Sequence, residues 1–178
     1  MHILKPTIAS LLITASMAQA DTTLTTTFSA ISLELDGTTY SGAYATSLAA
    51  GIDVTENVYA TASFAYFTAS GGSAAAFDAG VGYMILNDID YDKGTGAKLG
   101  AGITLSGNIV VASSTALSSD IVFDAALSSP YSNLGSVISY SLGAEYVPWG
   151  IYAGYQEAVI TGTTTSLSGF NVGYRTRF

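Results

Sequence analysis

The chain has 178 residues, five basic and thirteen acidic side chains, no cysteine, and only 10% charged residues. So few positive charges cannot form the basic patch that nucleic-acid phosphates require, and the lack of cysteine excludes disulfides. An ordinary soluble domain has about 25% charged residues, so we expect something other than water to cover part of this surface.

The first twenty residues predict a secretory signal peptide. A short start containing Lys5 precedes an apolar stretch at 8–17, and an A-x-A cleavage pattern ends at Ala20. The apolar stretch is too short to cross a bilayer as a helix. We therefore expect cleavage after Ala20, which leaves one domain at 21–178 and removes His2, the only histidine.

Apolar residues alternate with small or polar residues along the mature chain, which indicates β-strands. In the first strand, Leu24 and Phe28 have the opposite parity from Ile31, and a bulge would reconcile them. The pattern predicts eight strands, at about 24–35, 40–52, 58–69, 75–86, 96–107, 135–147, 150–160 and 167–178.

Residues 108–134 allow two interpretations. The segments 109–111 and 121–123 look strand-like, and a Ser/Thr-rich bend separates them. They either form a tall hairpin loop outside the membrane or add two strands, giving ten. The chain length favours eight strands and the loop.

The polar faces of the strands distinguish a sandwich from a barrel. A sandwich would turn this face to water, where Lys and Glu are common, but here it is mostly Gly, Ala, Ser and Thr. Small side chains suit a narrow barrel interior, and only closed barrels and helices satisfy their backbone groups in lipid. The sequence therefore predicts an all-β fold, a closed antiparallel transmembrane β-barrel of eight or, alternatively, ten strands.

The last nine residues carry a terminal motif with apolar residues at alternate positions and a final aromatic residue: Phe170, Val172, Tyr174 and Phe178. This motif resembles the terminal strand of bacterial outer-membrane barrels. The mature chain is similar in length and architecture to small eight-stranded outer-membrane barrels of the opacity-like, porin-family group. The resemblance implies an outer-membrane location in a Gram-negative envelope and recognition of these four residues by the barrel-assembly machinery.

The resemblance also implies a topology with both chain ends in the periplasm and longer loops outside. The turns 87–95 and 147–150 would then face the periplasm. The segments expected outside are 36–39, 70–74, 108–134 and 161–166. Extracellular partners would chiefly meet the segment 108–134, and outer-membrane lipid would surround the wall.

Charges on the polar parity predict an ionic cluster inside the barrel. Lys98, Glu145 and Arg175, with Arg177 nearby, fall near the predicted periplasmic strand ends. Pairing offsets the cost of burying each charge. A paired cluster at this depth would also close the lumen. A selectivity ring in a pore is the alternative. Eight strands favour the plug, because side chains about fill such a lumen.

Asp88, Asp90 and Asp92 have the spacing that begins a calcium loop. Gly94 comes one place late for such a loop, and Leu99 stands where the final Glu belongs. A solvated polar turn is therefore the favoured interpretation, and weak binding of a divalent cation is the alternative.

No catalytic, cofactor-binding or metal site is predicted. A histidine-based triad needs an imidazole, and the signal peptide takes away the only one. We therefore expect a non-enzymatic barrel with a structural or surface-interaction role and a lumen largely plugged by side chains. The alternative is porin-like passive diffusion of small solutes across the outer membrane.

Overall fold

A computed structural model describes residues 22–130 and 137–178. The predicted signal peptide at 1–20 and the part of the predicted outer loop at 131–134 lie outside the described residues. Within the described residues no helix is long and apolar enough to cross a bilayer. The elements in chain order are β1 (Thr23–Leu35), β2 (Thr38–Asp53), β3 (Val58–Ala69), β4 (Gly72–Asp90), β5 (Thr95–Thr104), β6 (Asn108–Ala116), β7 (Ile121–Pro130), β8 (Val137–Tyr146), a 3₁₀ helix (Val147–Trp149), β9 (Ile151–Ile160) and β10 (Ser166–Arg177).

The strands form a closed antiparallel barrel in which each pairs with its neighbours in the chain. β1 and β10 close the ring, in register from Thr23 opposite Arg177 to Glu34 opposite Ser166. We call the end of the barrel that contains Thr22 and Phe178 the near end. It also contains the turns 54–57, 91–94, 117–120 and 147–150, whereas the far end contains 36–37, 70–71, 105–107 and 161–165.

The barrel has ten strands, the alternative to the eight that chain length favoured. Residues 108–130 are not part of an outer loop, because β6 and β7 pair with each other and with β5 and β8. Each is nine or ten residues long, which is about what a tilted strand needs to cross a bilayer. The turns 105–107 and 117–120 are short, so the same length of chain accommodates two more strands. The turn 117–120 lies at the near end, opposite the position expected for it.

The predicted alternation separates an exposed apolar wall from a buried lumen. In β3, for example, Phe64 and Tyr66 are exposed on the wall, while Ser63 and Ala65 are buried inside. Inward positions along the other strands are also mostly Gly, Ala, Ser and Thr. Side chains in the interior are therefore mostly small, and the larger ones include Tyr59, Tyr152 and Arg175.

The irregularity predicted in the first strand has a different form. The register between β1 and β2 shifts between Ile31 and Leu33, but the extra residue lies in β2. Gly42, in that bulge, has φ 94°, a conformation that favours glycine. Ile31 therefore stays inside the barrel, and its apolar side chain belongs to the lumen.

Candidate functional site

Four charged side chains meet inside the near end of the barrel and form what we call the near-end ion network: Asp124, Glu145, Arg175 and Arg177. Arg175 Nη1 donates to Asp124 Oδ2 at 2.7 Å and to Glu145 Oε2 at 2.8 Å. Arg177 donates through both terminal nitrogens to Glu145, with Nη2 to Oε2 at 2.6 Å. The network joins β7, β8 and β10 through two cations and two anions.

The network is shielded from water, and neutral groups form hydrogen bonds with two of its remaining polar atoms. The side chains of Arg175 and Glu145 are each 1% exposed. Arg175 Nε donates to the Thr25 hydroxyl at 3.1 Å, and Ser114 donates to Asp124 at 2.7 Å. The guanidinium carbon of Arg175 lies 4.5 Å from the ring centre of Tyr152. These contacts offset the cost of burying the ions.

The structure brings together two of the three residues predicted to form an ionic cluster. Glu145 and Arg175 are in direct contact, and Lys98 lies buried at the same end. Lys98 Nζ is 5.8 Å from the ring centre of Tyr91, and the guanidinium carbon of Arg177 is 4.4 Å from the same ring. Tyr91 therefore lies beside both Lys98 and the network.

Two tyrosines are buried in the lumen, and the sequence interpretation missed them. Tyr59 is 0% exposed and Tyr152 is 1% exposed. A Cβ built on Gly82 would overlap the Tyr59 ring, and one on Gly143 would overlap the Tyr152 ring. Each ring therefore occupies space that a glycine on the neighbouring strand leaves open. Most of the other tyrosines lie on the wall, where membrane girdles are expected.

The far end of the lumen is apolar on one side. The far-end apolar cluster joins five strands and consists of Ile31, Ala45, Ala65, Phe67, Ala158 and Leu167. On another part of the same end, the buried carboxylate of Asp78 accepts from the Ser106 hydroxyl and from its backbone N–H at 3.1 Å. Among the described residues, Asp78 meets only neutral donors, and no basic partner lies with it.

The acidic turn is partly strand. β4 continues to Asp90, beyond the predicted end at residue 86, after a register shift between Met84 and Leu86. Lys93 Nζ donates to Asp90 Oδ2 at 2.6 Å, and this bond raises the pKa of Lys93. No three His, Cys, Asp or Glu side chains within 22–130 and 137–178 are grouped to hold a metal ion.

The terminal motif lies on the outside of β10. Phe170, Val172, Tyr174 and Phe178 all have exposed side chains, and the Phe178 backbone N–H donates to the Thr22 carbonyl oxygen at 2.9 Å. Recognition of these residues by an assembly machinery stays a prediction.

No protein-family model matches the chain, and no curated protein matches it. Among solved structures, it is similar to Neisserial surface protein A (NspA), with 11% identity, a TM-score of 0.46, and coverage of 89% of this chain and 98% of that one. The KdgM porin in complex with disordered oligogalacturonate has 8% identity, a TM-score of 0.46, and coverage of 88% and 99%. A mutant of the Rh. blastica porin has 16% identity and a TM-score of 0.38 over 75% of this chain and 44% of that one. These likenesses are distant.

Proposed function

We propose that the mature chain is a bacterial outer-membrane β-barrel with a structural or surface-interaction role and a lumen closed by its own side chains. The observation that carries this proposal is the presence of large buried side chains in the lumen at both ends. The near-end ion network and the rings of Tyr59 and Tyr152 lie at the near end, and the far-end apolar cluster lies at the other end.

The wall supports a membrane location. Large apolar side chains are exposed around the barrel, such as Phe77 at 66% on β4 and Phe170 at 72% on β10. Apolar surface of this extent is unfavourable in water and is typical of a membrane or a partner interface. The closed strand order leaves no sheet edge, so the backbone groups of the wall are paired as lipid requires.

Passive diffusion of small solutes is the second candidate function. Ten strands enclose a wider lumen than eight, which favours a pore. Against this, the luminal side chains of Arg175, Glu145 and Tyr152 are almost completely buried, so water has little access at their level. The geometry therefore supports a closed barrel with a structural or surface-interaction role better than passive diffusion.

Planar-bilayer recording of the purified protein tests the closed lumen. We expect no stable unitary conductance from the wild type. A variant with Tyr59, Tyr152, Phe67 and Leu167 all replaced by Ala removes large luminal side chains at both ends and should conduct. Tyr66→Ala with Tyr83→Ala removes two exposed wall rings and should stay silent. Reproducible unitary steps from the wild type would instead favour diffusion. A heat-dependent shift in gel mobility shows that each variant is folded.

Partners outside the cell would meet the far-end turns. The segment 108–134 was expected to supply most of this surface, but 108–116 and 121–130 are wall strands. Surface contacts would therefore involve short turns such as 36–37 and 161–165. The barrel-assembly machinery remains the proposed partner during biogenesis, through the exposed side of β10.

A further inference from the structure

A carboxylate lies on the outer wall near the far end, where a lipid-facing strand is expected to be apolar. Glu157 points outward, because its chain neighbours Gln156 and Ala158 are buried in the lumen. It is three residues from the end of β9, so it lies towards one rim of the wall rather than at mid-depth. Under the proposed membrane location, this depth corresponds to the headgroup region.

Two tyrosines contact this carboxylate, and a phenylalanine on a third strand packs against one of them. Tyr155 donates its phenol hydrogen to Glu157 Oε2 at 3.0 Å, and Tyr140, directly opposite on β8, donates to the same oxygen. The ring centres of Tyr140 and Tyr155 are 6.5 Å apart, and those of Tyr155 and Phe170 are 5.1 Å apart. We call Tyr140, Tyr155, Glu157 and Phe170 the wall site.

Within residues 22–130 and 137–178, no basic side chain is placed to neutralise the wall site. Arg175 and Arg177 are engaged with Glu145 inside the lumen, and Lys98 is buried there. Lys93 pairs with Asp90 at the opposite end of the barrel. The fifth basic residue, Lys5, belongs to the predicted signal peptide. A second copy of the mature chain would therefore also present no basic side chain from its wall.

We propose that the wall site binds the ammonium group of a membrane-lipid headgroup of the phosphoethanolamine type. A carboxylate supplies the opposite charge, and aromatic faces attract cations, more strongly where water is excluded. A primary ammonium has three N–H donors, so it can bond the carboxylate while lying against the rings. A single carboxylate is a poor ligand set for a divalent ion, which takes six or more oxygens. The inference rests on the membrane location proposed above.

Native mass spectrometry of the full-length mature protein with matched lipids tests the wall site. The probes are phosphatidylethanolamine and phosphatidylglycerol with identical acyl chains. We expect the wild type to retain the ethanolamine lipid at least about fivefold better, and Glu157→Gln to abolish that preference. Glu34→Gln is the matched control, because Glu34 is also exposed near the far end but accepts no tyrosine hydrogen bond among the described residues. It should keep the preference.

Three results would overturn the assignment: no lipid preference in the wild type, a preference that survives Glu157→Gln, or binding of phosphatidylglycerol that needs both calcium and Glu157. The last would indicate a bridging cation instead of an ammonium group. Gel mobility before and after heating, and insertion into vesicles, are measured in parallel. A protein that fails to insert contradicts the proposed membrane function, whereas one that inserts without lipid preference contradicts only the wall site.

Discussion

Replacing Arg175 with methionine tests whether the near-end ion network stabilises the barrel. The substitution removes the guanidinium that bonds Asp124 at 2.7 Å and Glu145 at 2.8 Å but keeps an unbranched side chain of moderate volume. The side chains of both carboxylates are at most 5% exposed, so neither regains full hydration. Removing one partner of a buried pair costs about 3–5 kcal/mol. Because Glu145 retains Arg177, we expect the free energy of unfolding to fall by about 3 kcal/mol.

Urea unfolding in lipid vesicles measures this loss. Trp149 is the only tryptophan and is 68% exposed at the near end, so its fluorescence reports the transfer from lipid to water. Lys93→Met is the control, because it removes an exposed ion pair with Asp90 and should leave the unfolding midpoint unchanged. A loss below about 1 kcal/mol for Arg175→Met, well under the cost of breaking a buried pair, would refute the reasoning.

Three further predictions concern packing, backbone conformation and strand number. Gly143→Val should destabilise the barrel by about 1–3 kcal/mol, because its side chain would overlap the Tyr152 ring. Adding Tyr152→Ala should recover part of that loss. If the two substitutions instead shift the urea midpoint by strictly additive amounts, the contact is contradicted. Gly42→Ala should lower the free energy of unfolding by about 1–2 kcal/mol, because the new side chain meets open space and only the positive φ is unfavourable. Gly96→Ala should lower it further, because its Cβ would also overlap a backbone carbonyl oxygen of β4. Equal urea midpoints for the two variants would contradict this difference. Deleting 108–134 should abolish the heat-modifiable gel band, because the deletion removes β6 and β7. Inserting a short Gly-Ser segment into the turn 161–165 should preserve that band. A deletion variant that still folds would instead support the interpretation of 108–134 as a loop.

The faces of the strands could be predicted from the sequence, but their number could not. Period-two alternation depends only on local side chains, so it places Phe64 on the wall and Ser63 in the lumen without knowledge of neighbours. Whether 108–130 forms strands or a loop depends on whether two more strands can pair between β5 and β8. That pairing is a property of the whole barrel. A strand pair rich in Ser and Thr has the composition of a loop, and its pairing is not local information.

The ion network was predictable where charge and parity agreed. Glu145 and Arg175 have the luminal parity and lie near the same end, and both facts can be read from the sequence. Asp124 has the same parity within β7, and it was missed because its segment was interpreted as a loop. Tyr59 has luminal parity too, but the space for its ring comes from Gly82, its partner across β3 and β4. That contact depends on strand register, which a single sequence does not specify.

The two ends of the lumen differ in chemistry, with ion pairs at the near end and an apolar cluster on one side of the far end. Replacing Arg175 removes its ion pairs with Asp124 and Glu145, yet it leaves Phe67 and Leu167 packed at the opposite rim. Cooling weakens apolar burial, yet it leaves the ions paired. Neither change alone removes both sets of contacts. Under the closed lumen proposed above, a path through the barrel therefore opens only when both ends fail together.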